Sequence, residues 1–315
     1  MKIVVFGTGG VGGVFGGSLA LSGQEVWFIA RGLHLAAMQA RGLLLHSPEG
    51  TSLIPPGRMT DEPARIGKSD VVLFCVKSYD TGEAARQLPL LLADHSVVIT
   101  LQNGIESEQN IRRVVPSALV FPGVAYVYAS ITAPGEITEP GGLRKIVFGP
   151  PRDAATQITE RGKEVTRFMV QSGIAAEWTD TIEPVLWKKF IFIASVGGLT
   201  ALTRLTLQEI LKVNETRALL SGAMSEVHAV ATRLKIPLVP DYVTQVFGKM
   251  SQFPNNTRSS LYHDLVHGKP LELEALSGTV VRLGSALDVP TPVHRTIYGA
   301  LLPYALGQKR GSDRQ

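Results

Sequence analysis

Short apolar runs recur along the first half of this chain, spaced widely enough to leave a helix between them. Lys2 to Phe6, Glu25 to Ala30, Val71 to Val76 and Ser96 to Leu101 are rich in Val, Ile, Leu and Phe, the pattern of strands buried on both faces of a parallel sheet. The stretch after the first run carries Val11, Phe15, Leu19 and Leu21, the spaced apolar residues of a helix. Leu43 to His46 and Thr51 to Ile54 flank Ser47-Pro48-Glu49-Gly50 and predict a small hairpin. From Leu119 the texture changes. Val124 to Tyr128, Gly135 to Thr138 and Lys145 to Phe148, broken by Pro134, Pro140, Gly141 and Gly142, predict a strand-and-turn extension of the same sheet. Thr156 to Ser172 predicts one further helix and Ala175 to Trp178 a short strand.

After Thr179 strand signals nearly vanish. Helical patterns cover Ile182 to Val196, Leu207 to Leu211, Glu215 to Leu234, Asp241 to Lys249, Leu273 to Leu287 and Pro292 to Tyr304, punctuated by Pro237, Pro240, Pro254, Pro270 and Pro290. The expected architecture is an α/β Rossmann-type N-terminal domain, residues 1–179, followed by an all-α C-terminal domain, residues 180–315. The polar tail Gln308 to Gln315 is expected to fray.

Composition narrows the function classes. A length of 315 residues with 44% hydrophobic side chains supplies two cores. Lysine and arginine number 31 against 27 acids, and no long basic run stands outside Lys309-Arg310, so the pI of 9.2 is a weak argument for nucleic acid. The N-terminus reads as a core strand, not a signal sequence, and the most apolar stretches read as too short and interrupted to span a bilayer, so a cytoplasmic address is expected. Cys75 is the single cysteine, inside an apolar run; it has no disulfide or metal-ligand partner and reads as a buried small residue. No metal site is expected.

The chemistry begins at Gly7-Thr8-Gly9-Gly10-Val11-Gly12, a G-x-G-x-x-G loop that follows a strand pattern and opens a helical one. In that context Gly7 permits the tight turn, Gly9 lets the backbone approach a pyrophosphate, and Gly12 lets helix and strand pack closely. Gly10 stands at a variable position of the pattern, so Gly10→Ala is expected largely to keep dinucleotide affinity and Gly9→Val to lose it. The helix N-terminus would then hold the diphosphate of a dinucleotide. The second strand ends in Ala30-Arg31, where an NAD site would place an acid against the ribose 2′-hydroxyl. An arginine there can pair with a 2′-phosphate, and the missing acid removes a repelling group, so NADP is the expected cofactor. A solvated surface charge is the competing reading of Arg31.

These features, with Val76-Lys77 and Gln102-Asn103-Gly104 after the third and fourth strands, Trp187-Lys188-Lys189, Ser259-Ser260, Asp264 and Glu272, give a chain that resembles the ketopantoate reductase (2-dehydropantoate 2-reductase) family over almost its whole length. The resemblance implies reduction of a 2-oxo acid by NADPH and often a homodimer. It singles out Lys189 as the proton donor, because an ammonium can stabilise and protonate the oxygen left by hydride transfer, and leaves Lys188 outside. It places Asn103 on the nicotinamide ribose or the substrate, Lys77 on cofactor phosphate or ribose, Ser260 on the substrate carboxylate, and Glu272 at the substrate or nicotinamide end. Residue by residue, a turn role for Asn103, a solvated Lys77, surface positions for both lysines and an N-cap pair at Ser259 and Ser260 remain open.

The lysine helix also departs from the family pattern. Ile193 and Gly197 stand four and eight residues after Lys189, where the family usually carries asparagine, which predicts a less polar and roomier pocket. Ser195 and Arg204 are candidates for replacement polar contacts. Ketopantoate is the leading substrate; another, more apolar 2-oxo acid and a non-catalytic nicotinamide-binding sensor are the alternatives. Leu199, Leu202, Leu205, Leu207, Ile210 and Leu211 suggest a homodimer surface.

Overall fold

Gly9 to Gly17 contains six glycines in nine residues, a composition that disfavours a helix unless packing requires a bare surface. In the computed structural model, which describes residues 1–152 and 157–307, α1 (Gly10–Leu21) nevertheless forms directly after β1 (Lys2–Phe6). A Cβ added at Gly12 would fall 2.3 Å from the Gly7 carbonyl oxygen, and one at Gly16 2.3 Å from a Val5 methyl, so these glycines seat the helix on β1. Gly13 and Gly17 leave room for Ile137 and Leu45, whose Cδ1 atoms would lie 2.0 and 2.4 Å from added Cβ atoms. Those two residues belong to a second sheet.

The strands continue as β2 (Glu25–Ile29), β3 (Leu43–Ser47), β4 (Gly50–Ile54), β5 (Met59–Thr60), β6 (Ser69–Phe74), β7 (Leu92–Thr100), β8 (Leu119–Tyr126), β9 (Ser130–Ala133), β10 (Glu136–Thr138), β11 (Lys145–Phe148) and β12 (Ala176–Trp178). Among the described residues the main sheet has eight strands in the order β12-β11-β8-β7-β6-β1-β2-β5, parallel except between β8 and β11. Ile3 and Val5 enter one core while Val4 and Phe6 enter another, so β1 is buried on both faces. The helices of this unit continue as α2 (Gly32–Arg41), α3 (Thr81–Ala85), α4 (Ser107–Val114) and α5 (Gln157–Gln171). The Thr156 start expected for α5 and the tail from Gln308 lie outside the described residues.

One expectation fails here. Gly135 to Thr138 does not extend the main sheet: β10 joins a separate four-stranded sheet, ordered β4-β3-β10-β9, together with the expected hairpin. The cause is Ile137, fully buried against the glycine face of α1.

The chain divides into two compact units, Met1–Gln102 with Glu106–Ile182, and Asn103–Ile105 with Glu183–Gln315. The second is built on α6 (Glu183–Thr203), followed by α7 (Leu207–Lys212), α8 (Asn214–Arg233), α9 (Tyr242–Lys249), α10 (Ser260–Val266), α11 (Thr279–Ala286) and α12 (Pro292–Leu301). Its α6 runs past the expected end at Val196 because Leu199, Thr200 and Ala201 are also buried, and it stops at Arg204 in the left-handed region, φ +62°. The expectation that no stretch could span a bilayer is corrected as well: α6 is long and apolar enough to do so by length and composition. Most of it is buried within the protein as a core helix. Leu199, Leu207 and Ile210 are likewise buried in this core, so they are not the pairing surface the sequence suggested. Leu273 to Leu287 is not one regular helix either. A π turn, Glu274–Gly278, precedes α11, with the Gly278 N–H donating to the Leu273 carbonyl five residues back at 2.9 Å.

His294 is fully buried at the start of α12, its Nε2–H donating to the Ala223 carbonyl at 3.1 Å and its Nδ1 accepting from the Ser277 hydroxyl at 3.2 Å. Glu226 accepts from the N–H groups of Val293 and His294 at 2.7 and 2.9 Å and so caps that helix. Burial depresses the His294 imidazole to about 4 from 6.5. Below pH 6.5 the unfolded chain binds a proton that the folded chain refuses until about pH 4, so this group removes stability as pH falls through that window. The loss is on the order of 3 kcal/mol. Urea titrations of wild type and His294→Gln across this range check it: the difference between the two should narrow as the medium is acidified, and a constant difference contradicts it.

Candidate active site

The glycine loop is anchored on one carbonyl. Ile29 O, at the end of β2, accepts from Gly7 N at 3.2 Å, Thr8 N at 2.9 Å and Thr8 Oγ1 at 3.0 Å. Thr8 is thereby committed to holding the loop beside β2. Gly7 turns at φ +101°, where a Cβ would meet Val76 N at 2.7 Å. Gly9, the N-cap of α1, has no side-chain cap and nothing within 4 Å of an added Cβ. Open space therefore stands over a helix end whose first-turn N–H groups, those of Gly10, Val11 and Gly12, have no intrahelical acceptor. These residues fit a dinucleotide diphosphate. Gly10 is tighter than its variable position in the pattern suggests: an added Cβ would lie 2.3 Å from Ala129 O and 2.7 Å from its carbonyl carbon, so a methyl group there needs a backbone shift.

Arg31, two residues beyond the end of β2, is the N-cap of α2 and is exposed, with Nη2 3.1 Å from Glu83 Oε1 on α3. Lys77 follows β6, half-buried, and opens the short turn Ser78–Asp80. Gln102 has a role that its place in Gln102-Asn103-Gly104 did not disclose. Its Nε2 donates to Val76 O at 3.0 Å and to Thr81 Oγ1 at 2.8 Å, and its Oε1 accepts from Thr100 Oγ1 at 3.2 Å. One buried amide thus clasps the ends of β6 and β7 and the start of α3, fixing the backbone that carries Lys77. Burial pushes the Cys75 thiol up to about 12, so it stays protonated at neutral pH.

In the second unit α6 separates its two lysines. Lys188 is exposed, with Nζ 5.9 Å from the Tyr242 ring centre, whereas Lys189 is set into the protein. Burial lowers the Lys189 ammonium to about 8, and the Glu272 carboxylate opposes that shift by favouring the charged form. Glu272 is only 6% exposed, between the buried Leu271 and Leu273 and two residues before the π turn. Asn103 is half-buried, and Gly104 next to it turns at φ +104° with room for a Cβ only 3.0 Å from Ala275 O. That contact draws Asn103–Ile105 against the π turn, three residues beyond Glu272. Lys189, Glu272 and Asn103 are therefore parts of one compact unit.

Ser259, not Ser260, caps α10: its Oγ accepts from Tyr262 N at 3.0 Å and lies 2.7 Å from Thr200 Oγ1. Ser260 is the exposed first residue of the helix. Ser259 Oγ also donates to Gly197 O at 3.3 Å, which places this turn at the far end of the Lys189, Ile193, Gly197 stripe of α6. An added Cβ at Gly197 has only a Leu276 methyl at 3.8 Å, so that position has room for a side chain. Ser195 is wholly buried with an Oγ that has no partner among the described residues, and Arg204 is an exposed helix terminator. Arg258, overlooked in the sequence although it directly precedes the serine pair, stacks over Tyr262 at 5.0 Å.

Residues 3–153 match the family described as Ketopantoate reductase PanE/ApbA, and residues 181–305 match its C-terminal part. The chain belongs to the ketopantoate reductase family. It is 30% identical over 315 residues to a 2-dehydropantoate 2-reductase from Mesorhizobium japonicum, covering 93% of this chain and 94% of that one. It is 27% identical to an uncharacterised oxidoreductase of Bacillus subtilis, covering 96% and 99%. The crystal structure of a PanE/ApbA family ketopantoate reductase from Ralstonia eutropha superposes with a TM-score of 0.87 at 30% identity over 97% of this chain and 98% of that one. As a ketopantoate reductase family member the chain is a nicotinamide-dependent oxidoreductase acting on 2-oxo acids, with an α/β N-terminal and a mostly helical C-terminal region.

Proposed function

We propose that this chain reduces 2-dehydropantoate to pantoate with NADPH, a step of pantothenate and coenzyme A biosynthesis in the cytoplasm. Residues 1–179 serve as the NADP-binding domain and residues 180–315 as the helical substrate-binding and catalytic domain. The observation that carries the reading is Lys189, an ammonium lowered to about 8 by burial and held charged by Glu272. A group that titrates just above neutrality holds its proton at working pH and releases it readily. The cofactor, when bound, supplies hydride. Lys189 Nζ supplies the proton that turns the substrate oxygen into a hydroxyl and offsets its growing negative charge. Glu272 keeps that lysine charged, Asn103 offers both a donor and an acceptor to substrate or ribose, and Ser260 offers a donor to the substrate carboxylate. Gly7 to Gly12 and Arg31 hold the diphosphate and the 2′-phosphate, with Lys77 at the same sheet edge.

Ile193 and Gly197 favour a second reading, in which the substrate is a more apolar or bulkier 2-oxo acid. Isoleucine cannot hydrogen-bond a substrate hydroxyl, and the space at Gly197 admits a larger group. Oxidation of NADPH followed with a panel of 2-oxo acids separates the two. Preference for ketopantoate supports the first, preference for a bulkier apolar acid the second, and tight NADPH binding with no turnover on any acid rejects both.

A further inference from the structure

We propose that Glu83 is the chain's own competitor for the place of a 2′-phosphate on Arg31, and that it opens the cofactor site to NADH alongside NADPH. The inference rests on the nicotinamide-cofactor reading above. In sequence the strand-end position lacks an acid, which by itself favours a 2′-phosphate. In space the acid is restored from another element. Glu83, in the first turn of α3 and 52 residues further along the chain, places Oε1 3.1 Å from Arg31 Nη2. Asp80, at the N-cap of the same helix, has its carboxyl raised above the usual value, chiefly by burial; the Arg31 charge favours its ionised form and the Glu83 charge opposes it. Two carboxylates thus share the neighbourhood of one guanidinium.

That arrangement treats the two dinucleotides differently. A dianionic 2′-phosphate must take the guanidinium from Glu83 and then sit in the repulsive field of both acids. A ribose 2′-hydroxyl can donate to the Glu83 carboxylate while the ion pair stays in place. The side chains of Arg31 and Glu83 are 51% and 62% exposed, so a ligand can reach the pair and exchange costs little.

The test measures dissociation constants of NADPH, NADH, 2′,5′-ADP and 5′-AMP for the full chain, for Glu83→Gln and for Arg31→Gln, with thermal melts to verify folding. Glu83→Gln keeps the shape and removes the charge. It should tighten NADPH and 2′,5′-ADP about three- to tenfold and weaken NADH about two- to fivefold. Arg31→Gln should weaken only the two ligands that carry a 2′-phosphate. A Glu83→Gln protein that binds NADPH and NADH in the wild-type ratio overturns the inference and leaves the reductase reading intact. A wild-type chain that binds neither dinucleotide overturns both. Loss of affinity in Glu83→Gln for all four ligands together would mark a structural role for Glu83 and also overturns the inference.

Discussion

Lys189→Ala is expected to lower kcat for 2-oxo-acid reduction by about 10²–10⁴-fold while NADPH affinity stays near that of the wild type. The residue lies in the helical unit, apart in the chain from the glycine loop, so its loss should be felt in the chemical step and not in diphosphate binding. The pH profile supplies the second readout. Reduction needs the charged ammonium, so kcat should be level below pH 8 and fall above it as the proton is lost from a group poised at about 8. Glu272→Gln removes the charge that raises the Lys189 value, leaving burial unopposed, so the alkaline limb should move to lower pH. Stopped-flow measurement of hydride transfer across pH checks both. An alkaline limb unmoved by Glu272→Gln would mean that the carboxylate does not govern Lys189, and near-normal turnover of Lys189→Ala would remove the lysine from the mechanism.

How far the sequence led depends on whether a residue's partner is near it in the chain. Strands β1, β2, β6 and the second half of β7 were legible because a strand buried on both faces has no polar alternation to confuse it, whereas Leu92 to His95, half-buried or exposed, left the start of β7 unread. The strand β10 was misassigned because its sheet membership is decided by Ile137 packing on Gly13, more than a hundred residues earlier. The full length of α6 was hidden for the opposite reason: it is buried nearly all round toward its C-terminal end, which leaves no polar face to mark a period. At the site, Gly12 could be read because the Gly7 carbonyl and Val5 it packs on lie within the same strand-turn-helix unit, and Gly7 because that unit needs a tight turn there, although its own neighbours, Val76 and Ile29, come from other parts of the chain. The acid facing Arg31 could not be read, because it arrives from α3 by way of the fold. Gln102 was equally silent: an amide joining one backbone carbonyl and two threonine hydroxyls from three parts of the chain looks in sequence like any polar residue after a strand.

The neighbouring glycines of the loop should fail in different ways when given side chains. Gly9→Val should fold normally, because nothing lies within 4 Å of its Cβ position, yet its methyls would occupy the space over the first-turn N–H groups of α1 where a diphosphate belongs. NADPH affinity should fall at least about a hundredfold with an unchanged melting temperature. Gly10→Ala carries a smaller side chain and should do more damage to the fold. Its single methyl meets the backbone of Ala129 at 2.3 Å, and backbone cannot rotate out of the way as a side chain can. Either β9 or the start of α1 must shift, at a cost of about 1–3 kcal/mol, which lowers the melting temperature by several degrees. Thermal unfolding and fluorescence titration with NADPH on both variants separate the cases. A Gly10→Ala protein as stable as the wild type would show that the backbone at Ala129, just before β9, can give way, and a Gly9→Val protein that still binds NADPH tightly would place the diphosphate elsewhere than on this helix end.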